Sequence, residues 1–200
     1  NMAYMFYNCS SLTRLNLCFF NTKNVTDCSS LLELDISNWE IYDSTSSTGQ
    51  ILRSTAENAQ TLNLNISNWK INNVSSIYGL LSDIGINAQF VNANISNWEI
   101  TNTKETGALF QNSWKYSKNI NLNIENWKFD TINGNLDSMF NYMGANSISE
   151  LDLSSWQISN ITNTENMFQG MSKLKTIYVS ELWNLENVNY SENMFNECES

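Results

Sequence analysis

The 200-residue chain has no histidine, no proline, only 7 glycines and only 4 cysteines. Without His the commonest general base and metal ligand is missing, so neither a Ser/His nor a Cys/His nucleophilic arrangement can be built. No Gly-rich phosphate loop stands in the sequence. Basic residues are also scarce: 10 Lys and Arg against 20 Asp and Glu give a net charge of −10. A protein that grips phosphates needs a basic face. Nucleic acid is therefore not an expected partner, and the same reasoning counts against an anionic membrane surface. No apolar run approaches the roughly 20 residues of a membrane span, so no direct membrane insertion of this segment is expected. No loop carries alternating acids with Gly in the calcium pattern. No metal and no cofactor are expected, and no enzyme.

What the chain does have is repetition, on a composition of 42% hydrophobic and 15% charged residues that suits a packed core. "NISNW" stands at Asn65–Trp69 and Asn94–Trp98, "DISNW" at Asp35–Trp39, "NIENW" at Asn123–Trp127 and "DLSSW" at Asp152–Trp156. A chemical site needs to be made once, whereas a structural unit is copied. Aligned on their middle apolar residue, the units anchor at Leu15, Leu34, Leu64, Ala93, Leu122, Leu151 and Ile177, spaced 19, 30, 29, 29, 29 and 26 residues apart. Periods of about 20–50 residues signal a solenoid. Residues 1–200 read as a single repeat array. The chain opens at Asn1 and closes at Ser200 in mid-pattern, so a longer array is expected, with further repeats beyond Ser200.

Within a unit the apolar residues run as Ile148, Leu151, Leu153, Trp156 and Ile158. The Leu151–Leu153 alternation predicts a short strand with one buried face. The stretch after it changes rhythm. Ile161, Met167, Phe168, Met171 and Leu174 recur every three or four residues, which predicts a helix, and Thr162 with Glu165 reads as its capping box. "SMFNYM" (Ser138–Met143), "ALF" (Ala108–Phe110) and "NMFNEC" (Asn193–Cys198) occupy the same place. The expected fold is an α/β solenoid: a leucine-rich-repeat-like stack of about seven strand-turn-short-helix units with one parallel sheet. The 19-residue unit after Leu15 reads as a tighter coil with its helix deleted.

Met5, Phe6, Cys9, Leu12, Leu15 and Leu17, followed by Asn24, Val25 and Thr26, carry a family wording; so do Leu151, Asp152, Leu153, Ser154, Trp156, Asn160, Ile161, Thr162, Met167 and Phe168. This pattern resembles the leucine-rich-repeat-related surface repeats of BspA-type bacterial proteins. It is especially similar to the roughly 26-residue repeat of mycoplasma lipoprotein-associated proteins. The resemblance implies a secreted or surface-anchored protein with adhesion or host-contact roles. It does not imply a ligand.

Candidate sites follow from the columns. Trp39, Trp69, Trp98, Trp127 and Trp156 could form a sugar-binding platform, but burial and stacking explain them fully. Trp114 and Trp183 lie off that column and are more open to partial exposure, though packing is still the favoured reading for each. The outward strand positions Asn16, Asp35, Asn65, Asn94, Asn123, Asp152 and Tyr178 form the candidate ligand-binding face. Their neighbouring columns are Arg14, Glu33, Asn63, Asn92, Asn121, Glu150, Thr176 and Cys18, Ser37, Ser67, Ser96, Glu125, Ser154, Ser180. Solenoid sheets present extended concave surfaces; the competing reading is a hydrogen-bonded amide ladder with no ligand. The paired carboxylates Glu33/Asp35 and Glu150/Asp152 are expected on exposed strands of a repeating scaffold, and nothing in the sequence suggests the cleft and perturbed pKa that glycosidase chemistry needs. Cys9 and Cys198 hold one repeat position at opposite ends and cannot bridge within one array; a Cys18–Cys28 link is not favoured. The N-x-Ser/Thr sequons at Asn65 and Asn94 fall on adjacent strands, where glycans would crowd, and are read as unused in a bacterial source. The leading expectation is a non-catalytic adhesion module at the cell surface, binding a host or neighbouring-cell surface protein or glycan. The rival is a stalk or filament scaffold, self-associating end to end, with no ligand of its own.

Overall fold

A computed structural model of the chain describes residues 15–16, 33–38, 40–42, 52–56, 59–130, 134–158 and 160–198, and all statements concern these. They form a parallel β-solenoid. Strands β1 (Leu15–Asn16), β2 (Glu33–Asp35), β4 (Thr61–Asn65), β6 (Phe90–Asn94) and β8 (Asn119–Asn123) make one five-stranded sheet. β3 (Glu40–Tyr42), β5 (Lys70–Asn72), β7 (Glu99–Thr101), β9 (Lys128–Asp130) and β11 (Gln157–Ile158) make a second. β10 (Glu150–Leu153) and β12 (Thr176–Val179) pair separately. Five of the six neighbouring anchor pairs meet in register: Leu15 pairs Leu34, Leu34 pairs Leu64, Leu64 pairs Ala93, Ala93 pairs Leu122, and Leu151 pairs Ile177, whereas Leu122 and Leu151 do not pair.

Two expectations are corrected. There are three sheets rather than one. The second five-stranded sheet follows the Trp corner, where Trp69/Ile71, Trp98/Ile100, Trp127/Phe129 and Trp156/Ile158 continue a period of two with both members buried. There is also no helix among the described residues. The segments at Ile77–Ile84, Ala108–Trp114, Ser138–Met143 and Thr164–Met171 are chains of turns. Positive φ recurs through them, at Ala108 (51°), Asn112 (57°), Trp114 (53°), Ser138 (53°), Tyr142 (55°), Asn166 (54°) and Gly170 (73°). A right-handed helix cannot include such residues. Their amides alternate in use. Leu80, Ser82 and Ile84 donate three residues back, to Ile77, Gly79 and Leu81. Gly79, Leu81 and Asp83 donate instead to Gly107, Leu109 and Gln111 of the next coil. A helix would consume all these donors internally; the stack needs half of them between coils. The apolar spacing was real, since Ile77, Leu80, Leu81 and Ile84 are all buried, but successive turns produce it. The capping box likewise does not form: the Thr162 amide donates to Gly134 O, and the Glu165 amide to Asn163 Oδ1.

Two aromatic columns run along the axis, both buried except at Phe195, which is exposed. Trp69, Trp98, Trp127 and Trp156 are fully buried and stack at 5.1, 4.7 and 4.6 Å between ring centroids. Phe110, Phe140, Phe168 and Phe195 stack at 5.5 Å each. Those spacings follow from the roughly 4.8 Å separation of parallel strands. Trp39, the tighter coil after Leu15, and Cys9, Cys18 and Cys28 lie outside the described residues.

Candidate functional site

The repeated pentapeptide can now be read atom by atom. Ile66 is buried, and its carbonyl accepts the indole N–H of Trp98, one coil on, at 2.5 Å. The same bond joins Trp69 to Ile36 (2.7 Å), Trp127 to Ile95 (2.6 Å) and Trp156 to Ile124 (2.7 Å). Asn65 Oδ1 accepts from the Ser67 hydroxyl at 2.9 Å and from its amide at 3.4 Å, which closes an Asx turn ahead of the corner. Asn94 does the same for Ser96, and Asp152 for Ser154. The second Asn takes left-handed backbone: φ is 64° at Asn38 and 60° at Asn68, Asn97 and Asn126. Asn tolerates that region better than other side-chain-bearing residues. These four side chains then form a ladder, with Asn68 donating to Asn38 (3.0 Å), Asn97 to Asn68 (2.9 Å) and Asn126 to Asn97 (3.1 Å).

The sequence-predicted face divides in two. Asn16, Asp35, Asn65, Asn94 and Asn123 pair in one backbone row across β1, β2, β4, β6 and β8. Asp152 and Tyr178 pair with each other in the β10–β12 ladder. The neighbouring column Asn63, Asn92 and Asn121 is exposed, and Asn92 donates to Asn63 at 2.8 Å. Asp35, Asn65 and Asn94 are half-buried. Ser37, Ser67 and Ser96, read as outward, are buried against the corner. Together the Asn rows line a broad, shallow groove of about 470 Å³ that includes Asp35, Asn63, Asn65, Asn92, Asn94 and Asn121. Such a surface offers paired amide donors and acceptors in a regular lattice, and no nucleophile. The ladder at Asn38–Asn126 was absent from the sequence reading, although the Asn before each Trp was its available signal.

Among the carboxylates, Asp152 is held below the usual aspartate value, first by the Ser154 hydroxyl and then by the Ser154 amide. That is the opposite of the raised value a general acid needs. The Tyr142 hydroxyl is pushed up by its 2.7 Å hydrogen bond to Glu197. Cys198 is half-buried, with its thiol donating to Phe168 O at 3.1 Å and its pKa raised by burial. Among the described residues no cluster of three or more acid, Cys or His side chains could hold a metal. Among the described residues no helix long and apolar enough to cross a membrane is present.

Of the two Trp off the column, Trp114 packs and is wholly buried, while Trp183 is half-exposed. The repeat length, the corner phrase and the MF-type turns together are the marks of one repeat family. The family described as "Mycoplasma protein of unknown function, DUF285" matches residues 1–122 and 87–200. The chain belongs to DUF285. Its two overlapping matches reach across the whole sequence, as expected where each coil repeats the last. No curated protein and no solved structure matches the chain. Within this DUF285 chain the Trp and Ile of the corner phrase build the coil, and the Asn residues face solvent or cap the turn.

Proposed function

We propose that this chain is a non-catalytic binding module at the cell surface, meeting a protein or glycan through the Asn rows of its strand face. The observation that carries the reading is the exposed amide lattice of Asn63, Asn92 and Asn121 beside Asn65, Asn94 and Asn123, over a groove of about 470 Å³. Amide lattices suit the hydroxyl and carbonyl groups of glycans and extended peptides, because each side chain both donates and accepts. The groove is open and shallow, which fits a flat, extended partner better than a small molecule. The resemblance to BspA-type and mycoplasma lipoprotein-associated surface repeats supports an extracellular setting and an adhesion role.

A second reading has its own observation. The Asn38–Asn68–Asn97–Asn126 ladder satisfies much of its own amide capacity between coils, as a stalk with no ligand would. An array of glycans and host surface proteins separates the two. Asn63→Lys, Asn92→Lys and Asn121→Lys together remove the lattice without touching the Asx turns at Asn65 and Asn94. Loss of a wild-type binding signal with unchanged thermal unfolding supports the face. A protein that folds normally and binds nothing on the array favours the stalk.

A further inference from the structure

β8 and β10 belong to successive coils, yet no ladder joins them. β8 is paired on one side only, with β6, and β10 on one side only, with β12. The rest of the coil does not open at this step. β9 pairs with β11. The amides of Ala108, Phe110 and Asn112 reach Asp137, Met139 and Asn141 at 2.7–2.8 Å. Trp127 and Trp156 still stack at 4.6 Å, with planes 1° apart. The split is therefore confined to one wall.

Both ends of that wall show how the split is made. Where the ladder is intact, Lys118 and Asn119 both donate to Gln89 O at its entry, and Lys175 and Thr176 both donate to Ser149 O. At the split, the Ile148 amide turns back to Gly144 O at 2.9 Å. At the exit, Asn97 donates to Glu125 O, whereas Asn126 donates to the Ser155 hydroxyl at 2.9 Å. The break coincides with the first shortening of this wall. Trp127 lies 17 positions after Phe110, Trp156 lies 16 after Phe140, and Trp183 lies 15 after Phe168.

The result is a cleft of about 450 Å³. Ile120, Leu122, Ile148 and Leu151 line it. Ile120 and Leu122 are half-exposed there, whereas their counterparts Leu62, Leu64, Val91 and Ala93 are buried in the intact wall. Three carboxylates line the same cleft, Glu125, Glu150 and Asp152, and no Lys or Arg does. Two strand edges with unpaired backbone groups face each other across an apolar floor. Such edges take up an added strand through main-chain hydrogen bonds, and alternating side chains would send one set to the floor and the other to the rim.

We propose that the β8–β10 cleft binds an extended peptide strand in which apolar residues alternate with Lys or Arg. Its backbone completes the wall between β8 and β10. Its apolar side chains cover Ile120, Leu122 and Leu151, and its cations sit beside Glu150 and Asp152, as opposite charges do across neighbouring strands. This occupant does not depend on use of the Asn rows.

The test uses a capped Lys-Val-Lys-Val-Lys-Val-Lys peptide, followed by calorimetry and by amide hydrogen exchange. Expected results are saturable binding, slowed exchange confined to residues 119–124 and 148–154, and about a tenfold or greater loss of affinity in the Glu150→Lys/Asp152→Lys protein. The same peptide N-methylated at alternate residues should not bind, since it lacks the ladder donors. Equal binding of the N-methylated peptide, or of a Glu-Val counterpart, would overturn the proposal. Binding that survives Glu150→Lys/Asp152→Lys but is lost on Asn63→Lys/Asn92→Lys/Asn121→Lys would move the peptide to the Asn rows and also overturn it. A chain that dimerises without peptide and protects the same amides would make a second copy the occupant, against the proposal.

Discussion

Replacing Trp98 by Ala removes the middle of the buried indole column. Trp98 is flanked by Trp69 at 5.1 Å and Trp127 at 4.7 Å, and it is wholly buried. Truncating a buried Trp to Ala typically costs about 3–5 kcal/mol through lost transfer energy and the cavity left behind. The Ile66 carbonyl, which accepts the Trp98 N–H, would also be left unpaired in the core, adding about 1–3 kcal/mol. A loss of roughly 4–8 kcal/mol approaches the whole stability of an ordinary domain. Trp98→Phe is the graded companion. It keeps a ring between the two neighbours and loses the hydrogen bond, so about 1–3 kcal/mol is expected. Urea unfolding followed by far-UV circular dichroism reads both, because the other indoles would confuse a fluorescence signal. In a stack held by nearest-neighbour contacts, the Ala variant should also broaden or split the transition as coils on either side uncouple. A loss below about 1 kcal/mol for Trp98→Ala, with one sharp transition, would refute a load shared through the column.

Three further outcomes are expected. Asn97→Gly should cost the ladder bonds to Asn68 and Asn126 and the weak bond to the Ser96 hydroxyl, whereas Asn97→Ala should cost about 1–2 kcal/mol more, because its φ of 60° disfavours a Cβ without a compensating amide; paired thermal melts measure the difference. Gly134→Ala should prevent a native fold, since a Cβ there would lie 1.6 Å from the Asn160 carbonyl oxygen at a φ of +56°, and the yield of soluble, cooperatively melting protein checks it. Asp152 has a lowered pKa because it accepts from Ser154. Its contribution is thus full above the usual value of 3.8 and fades as pH falls through the lowered one. Asp152 is exposed, so the effect is small, and the wild-type advantage over Asp152→Asn in urea midpoint should shrink as pH falls below the usual value of 3.8.

The coil was legible because its signal repeats. The anchors from Leu15 to Ile177 fixed the strand register, and the Trp spacing fixed a buried column, since a large apolar side chain at every turn has only the core to occupy. The turn segments were misread for a physical reason. Apolar residues three and four apart, as at Met139, Phe140 and Met143, arise in a helix and in successive turns alike. What separates the two is backbone sign, and the positive φ at Ala108, Trp114, Ser138 and Tyr142 falls on residues with no preference for it. The second sheet was half visible, as the Trp127–Phe129 alternation. The face was legible as parallel polar columns, but not its division between the β1–β8 sheet and the β10–β12 pair. The β8–β10 split depends on where individual amides donate, and the single-residue shortening before Trp156 is only a faint trace of it. Local competition also changed roles: Ser67 and Ser96 look like outward polar positions, yet their Asx turns bury them.

One distance tests whether each repeat is one coil, with residues 29 apart in sequence as neighbours on a continuous Asn face. Asn63 pairs with Asn92, and Asn92 with Asn121. Spin labels at Asn63→Cys and Asn121→Cys, with Cys9, Cys18, Cys28 and Cys198 replaced by Ser, would sit two strand spacings apart, about 9.6 Å between Cα atoms. The double-labelled protein should show strong dipolar broadening that disappears on urea unfolding. A spectrum equal to the sum of the two single-labelled proteins under native conditions would contradict the stacked face.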